Sequence, residues 1–360
     1  KTTPPKSSIL DNLKEIKKLD RSNTLGSIEA LADQVKHAWE EAQQVKFQPQ
    51  TELKNVVVAG MGGSALGPDV VKHLFKTELK LPFEVINSYS LPGYVNEHSL
   101  VILASYSGTT EEVLSAAQQV ISKKAQVMVI CAGGKLAELA DKHHWPKYLI
   151  NPKHNPSNQP RMAIGYAIFG LISLLSKAQV INLTNQQVEE VVQTIIQQNE
   201  RCQVQIKTEQ NPAKTMAFAC LNRRPILVAA EFLTGAAHTA TNQFNENAKI
   251  FADYKIIPEI NHHLMEGLKF PNTNEQSHYW LFLNSQLYHP RNQKRFKLTQ
   301  QVVEQNQIET LAISLTAESK LTQVFETITL FAYTNFYLAM LEDIDPAPIP
   351  FVNWFKKKLK

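Results

Sequence analysis

Apolar residues first recur at helical spacing and then gather into short continuous runs, and that change organises the chain. Leu10, Leu13, Ile16 and Leu19, and after them Ile28, Leu31, Val35 and Trp39, follow the period of helices with one buried stripe. Residues 1–50 therefore read as a helical lead-in. From Asn55 to Ala59 the sequence is NVVVA, a strand buried on both faces, which ends in Gly60-Met61-Gly62-Gly63-Ser64 before a helix through Val70 and Val71. Further apolar runs follow at Phe83–Ile86, Leu100–Ala104 and Val127–Cys131, with helical segments at Thr110–Ser122 and Lys135–Lys142. Strands alternating with helices predict a parallel sheet covered on both faces. A long helical stretch, Ala163–Lys177 and then Asn185–Thr208, leads to a second series. There Ile226–Ala230 is a strand, Thr234-Gly235-Ala236 a turn, and a helix runs towards Lys249. Strands near Tyr254–Ile257, Tyr279–Leu283 and Thr310–Leu315 and a helix over Leu321–Leu341 complete it. The predicted architecture is α/β, with two doubly wound parallel-sheet domains at 51–185 and 186–345 and a tail at 346–360.

Composition narrows the class. The chain has 360 residues, 43% hydrophobic and 19% charged, enough for two cores. Net charge is only +4, and Lys356, Lys357, Lys358 and Lys360 carry much of the excess, so no basic face points to nucleic acid. Cys131, Cys202 and Cys220 are sparse, odd in number and without a CxxC pair, which argues against a disulfide framework or a zinc site. Lys1–Ser8 is followed by no apolar run, so no leader is expected. The longest apolar stretch, Ala163–Leu175, falls short of the ~20 residues that span a bilayer. A cytoplasmic protein without membrane partners is expected.

Two strand-to-helix turns carry candidate chemistry. Glycines in Gly60–Ser64 let backbone approach a ligand, and the following helix offers free N–H groups to an anion. With Ala65 the loop also meets a loose dinucleotide pattern, but the second strand ends in Ile86-Asn87-Ser88, without the carboxylate that would hold a ribose. The second turn, Ser105-Tyr106-Ser107-Gly108-Thr109-Thr110-Glu111, crowds four serine and threonine hydroxyls around one glycine. Neutral donors suit a phosphate that must bind and leave. Capping of the helix by Ser107 or Thr109 would explain one of those hydroxyls.

These two loops, with Pro160-Arg161-Met162-Ala163, resemble the sugar-isomerase (SIS) domain of bifunctional phosphoglucose/phosphomannose isomerases, and the resemblance covers nearly the whole chain. It implies that Gly62, Gly63, Ser64, Ser105, Ser107 and Thr110 hold a sugar 6-phosphate. It also implies that Arg161 reaches the sugar and steadies negative charge on the substrate oxygens.

The same resemblance places the chemistry in the second half. Gln243-Phe244-Asn245-Glu246-Asn247-Ala248-Lys249 is similar to the family's NENAK segment, with Glu246 at the general base. A carboxylate can take the proton from C2 and return it to C1 on one face of an enediolate. The flanking asparagines are placed to orient it. Glu259-Ile260-Asn261-His262-His263 is similar to E-x-N-H-N, and His262 falls on the histidine that assists ring opening, a task for a group titrating near neutrality. The chain departs from the pattern at His263 and Leu264, which leaves His263 as the competing choice. A metal at the paired histidines lacks a third ligand at a recognised spacing. In related isomerases this histidine comes from the other subunit, which implies a homodimer with shared sites. Asp345-Pro346-Ala347-Pro348-Ile349 and Lys356 are similar to a C-terminal DPxP segment and its lysine, so the tail is expected to fold back across the site. The resemblance thus implies a metal-independent aldose–ketose isomerase that needs no cofactor. A sugar-phosphate sensor is the alternative from another class, although it would have no use for Glu246 or His262.

Overall fold

A computed structural model describes residues 9–359; the stretch Lys1–Ser8 read for a leader lies outside them. The lead-in is three helices, α1 (Leu13–Leu19), α2 (Thr24–Glu29) and α3 (Leu31–Ala42), and Leu10, Ile16, Ile28, Leu31 and Val35 are buried. The first α/β unit runs β1 (Asn55–Ala59), α4 (Gly63–Leu74), β2 (Phe83–Ile86), β3 (Ser99–Ser105), α5 (Glu111–Lys123), β4 (Gln126–Cys131), α6 (Gly134–Lys142) and β5 (Lys147–Leu149). Its sheet has the order β2-β1-β3-β4-β5, parallel throughout. β3 and β4 are buried at every position, because helices cover both faces. The chain then passes through α7 (Ile164–Lys177), α8 (Asn185–Cys202) and α9 (Pro212–Cys220).

The second unit runs β6 (Arg224–Ala230), α10 (Thr234–Gln243), β7 (Asp253–Ile257), α11 (Asn274–Ser277), β8 (His278–Asn284), α12 (Pro290–Gln305), β9 (Thr310–Ser314), α13 (Lys320–Leu341) and α14 (Pro350–Leu359). Its parallel sheet has the order β7-β6-β8-β9. The chain is therefore a doubly wound α/β protein with two parallel sheets, as its alternating pattern requires.

Three local readings change. The helix expected over Asn185–Thr208 stops at Cys202: Gln203 is extended, and Asn211 then caps α9 through Ala213 N–H and Lys214 N–H. The turn expected at Thr234-Gly235-Ala236 lies earlier, at Glu231–Leu233, and Gly235 is helical. A Cβ there would meet Val70 Cα at 2.4 Å, so the glycine serves the close approach of α10 to α4. Thirdly, Ala163–Leu175 is not the segment that comes nearest to spanning a bilayer. α13 is long and apolar enough to cross a membrane, yet its Leu321–Leu341 stretch is entirely buried against α8, α9 and α10, as the central helix of the core.

Candidate active site

β1 lies between β2 and β3, so the connections leaving β1 and β3 go to opposite sides of the sheet, and a crevice opens at their carboxyl ends. Both the glycine-rich and the hydroxyl-rich turn lie there. Gly62 has φ +51°, and neither α4 nor α5 has a side-chain cap at its N-terminus. Ser107 and Thr109 bond one another instead of capping α5, with Thr109 N–H and Oγ1 approaching Ser107 Oγ at 3.3 and 3.2 Å. Gly108, at φ +66°, admits the neighbouring β4–α6 loop so closely that a Cβ would sit 1.8 Å from the Gly133 carbonyl. Ser105 is buried and braces the turn: its Oγ accepts from Gly108 N–H at 3.1 Å and lies 2.7 Å from Thr110 Oγ1. Ser64 Oγ accepts from Tyr106 N–H at 2.9 Å, tying one loop to the other. Two uncapped helix ends thus meet at a rim of hydroxyls, an arrangement suited to a phosphate.

The first loop also touches the arginine. A Cβ on Gly63 would lie 2.8 Å from Arg161 N, so only glycine admits the Pro160–Met162 turn this closely. Arg161 is 1% exposed, and all of its donors are engaged. Nε gives to Asn247 Oδ1 (2.5 Å), Nη1 to Gln159 Oε1 (3.0 Å) and Glu246 Oε2 (3.2 Å), and Nη2 to the carbonyls of Pro346 and Ala347 (2.9 Å each). Burial pulls the guanidinium pKa below its ordinary value, and Glu246 opposes that shift.

Glu246 sits on a π-helical turn, Phe244–Ala248, that extends α10 and ends at Lys249 with φ +56°. Such turns swing a side chain off the regular helical face. The asparagines act differently from expectation, because neither bonds the Glu246 carboxylate. Asn245 closes the turn onto Ala252 through Nδ2 to its carbonyl and Oδ1 from its N–H. Asn247 holds Arg161, and its Nδ2 gives to Asn335 Oδ1 at 2.9 Å on α13. Sequence reasoning did not pick out Lys249, whose Nζ donates to the carbonyls of Glu246 (2.6 Å) and Pro346 (2.9 Å). Burial, then Arg161, pushes its pKa down to about 8. Only a pattern of paired cations around a Pro-containing strap would have signalled it, and one sequence does not show which carbonyls they meet.

The remaining residues stand on other elements. His262 ends a 3-10 turn after β7 and His263 follows it, both exposed; that turn packs on β7 while the Glu246 turn packs on α10 and α13. The tail folds back as far as Pro346 and Ala347, but α14 buries none of its residues, and Lys356 stands on it, exposed. No group of three or more metal-ligating side chains occurs among the described residues.

Comparison with known proteins gives two family matches: an SIS domain over residues 51–171 and a bacterial phospho-glucose isomerase C-terminal SIS domain over residues 209–359. A bifunctional phosphoglucose/phosphomannose isomerase from Caldicellulosiruptor bescii is 32% identical, covering 92% of this chain and 98% of its own. One from Thermoplasma acidophilum is 28% identical over 85% of this chain and 90% of its own. Among solved structures, a hypothetical protein from Thermus thermophilus superposes with a TM-score of 0.70 at 15% identity, covering 93% of this chain and 89% of that one.

Proposed function

The chain belongs to the family of bifunctional phosphoglucose/phosphomannose isomerases, and from that membership we propose how its residues divide the reaction. It interconverts glucose 6-phosphate and mannose 6-phosphate with fructose 6-phosphate. The 6-phosphate docks on the uncapped ends of α4 and α5, among Gly62, Gly63, Ser64, Ser105, Ser107 and Thr110. Ser105 and Thr110 shape the turn, while the exposed Ser107 is free to give its proton outward.

On the opened sugar, Glu246 takes the C2 proton. The C–H electron pair becomes the C1=C2 bond of the enediolate, and charge collects on O1. The same carboxyl group returns the proton to C1 as a proton passes from O2 to O1, which gives the ketose. Both aldoses share this intermediate, so one base serves both. Arg161 fixes one carboxylate oxygen and leaves the other for the substrate; with its own donors engaged, it acts on the enediolate through its charge. Ring opening falls to His262. Because that histidine is exposed, on a turn separate from the one that carries Glu246, it serves the site of a second copy, in a homodimer with shared sites. Lys356 joins when the exposed α14 closes over a site.

The boundary near residue 186 follows from the same reading, with the phosphate held by the first unit and Glu246 carried by the second. We assign the cytoplasm as compartment, since all three cysteines are buried and free.

The observation that carries the proposal is the contact of Gly63 with Arg161, which joins the phosphate loops to the gripped base. Its test is a coupled assay with fructose 6-phosphate, following both aldoses with and without chelator. Chelator-resistant formation of both is expected, with most turnover gone in Glu246→Gln; an active Glu246→Gln variant removes the base assignment.

A further inference from the structure

Away from the sugar-phosphate crevice, the amino ends of the second sheet border another cavity, of about 200 Å³. Strand register explains its lining. Arg224 pairs with His278, and Ile226 pairs with both Trp280 and Asp253, so these side chains and Lys255 share one face of the sheet. Farther along, α12 covers that face through Phe282 against Phe296, with ring centroids 6.2 Å apart. Near the amino ends no long helix does so, and the irregular run between β7 and β8 roofs the gap with Leu264, Gly267 and Leu268.

The gap is polar in a one-sided way. Trp280 is 3% exposed, yet its Nε1 has no acceptor among the described residues, and His278 Nδ1 is likewise buried and unpartnered. A buried indole N–H ordinarily finds a partner. Arg224 lies over the Phe251 ring at 5.5 Å and meets no carboxylate among the described residues. The one lining carboxylate, Asp253, is already paired with Lys255. Burial, then Arg224, lowers the His278 pKa, so its ring is neutral at physiological pH. What remains is a solvent-exposed cation without a carboxylate partner among the described residues, an unmatched buried indole N–H and, at the mouth, the apolar surfaces of the exposed Phe251 and of Leu264.

We propose that this cavity is a binding site for a small organic anion, whose carboxylate or phosphate meets Arg224 and the Trp280 N–H and whose apolar body rests on Phe251 and Leu264. At ~30 Å³ per water the space equals about six or seven water volumes. That fits a compact anion.

Benzoate is the probe, titrated by calorimetry and indole fluorescence into the full chain with saturating fructose 6-phosphate. One benzoate should bind per chain regardless of the sugar phosphate. Its affinity should fall at least about tenfold in Arg224→Gln, the loss of one charge-assisted bond. In Trp280→Phe binding should weaken and the emission change disappear. Failure to bind at millimolar concentration, full affinity in Arg224→Gln, displacement by fructose 6-phosphate, or binding that tracks self-association of the chain would each overturn the site. Thermal melts of both variants confirm that the comparison is between folded proteins.

Discussion

Replacing Arg161 with methionine keeps an unbranched side chain and removes every donor. Five acceptors lose a partner, but not equally. Pro346 O keeps Lys249, and Glu246, 30% exposed on its side chain, can turn to water. Asn247 is fully buried and Ala347 is 2% exposed, so their oxygens are stranded. A stranded buried acceptor costs about 1–3 kcal/mol, giving about 2–6 kcal/mol for the two. The ion pair adds little because its acid is partly solvated. A loss of about 3–5 kcal/mol, the middle of that range, is expected. At roughly 2 °C per kcal/mol for a large domain, Tm should fall by about 6–10 °C. Turnover should fall further than stability explains, at least about a hundredfold, because Glu246 loses its fixed partner and the enediolate a nearby charge. Scanning calorimetry and steady-state kinetics below the lowered Tm separate the two effects. Arg161→Lys should recover part of the Tm and little of kcat, since one ammonium cannot span the same acceptors. A methionine variant melting within about 1 °C of the parent with unchanged kcat would refute the reasoning; a lowered Tm with full kcat would leave Arg161 a structural role only.

Three other outcomes follow from the geometry. Lys249 grips the Pro346 carbonyl while charged, so kcat/KM should decline as pH rises through about 8, and Lys249→Arg should move that limb upward; an unmoved limb excludes Lys249 as its source. Burial raises the Asp69 carboxyl pKa, but bonds to His238 and His73 outweigh that and hold it well below the ordinary range. Its stabilisation is therefore full above the ordinary carboxylate pKa and lost as pH falls through the lower folded value, so urea melts of Asp69→Asn should differ most near neutrality and converge with the parent well below about pH 4. Finally, Gly235→Ala should lower stability by about 1–3 kcal/mol or more, because the new methyl meets Val70 backbone rather than a side chain that can turn aside; an unchanged Tm would show that the helices separate freely.

The chain itself determined its two sheets. After Asn55, the VVVA of β1 and the ILVAA run of β6 have no polar position to offer solvent, so they read as central strands of parallel sheets. The two strand-to-helix turns were legible for a similar reason, since glycines and hydroxyls at consecutive positions shape them locally. Helix limits were less so: nothing in the periodicity of α8 reveals that Gln203 goes extended, and Gly235 reads as a turn until α4 is laid against it. The grip on Glu246 was beyond local reasoning. Its neighbours Asn245 and Asn247 looked like the orienting groups, yet the bond comes from Arg161, 85 residues away, whose remaining donors meet carbonyls at Pro346 and Ala347. Lys249 entered with them, through a carbonyl 97 residues distant. Hydrophobic periodicity is a property of neighbours along the chain, whereas a buried guanidinium must find an acceptor for every N–H wherever the packed core supplies one, and only the tertiary structure decides where that is.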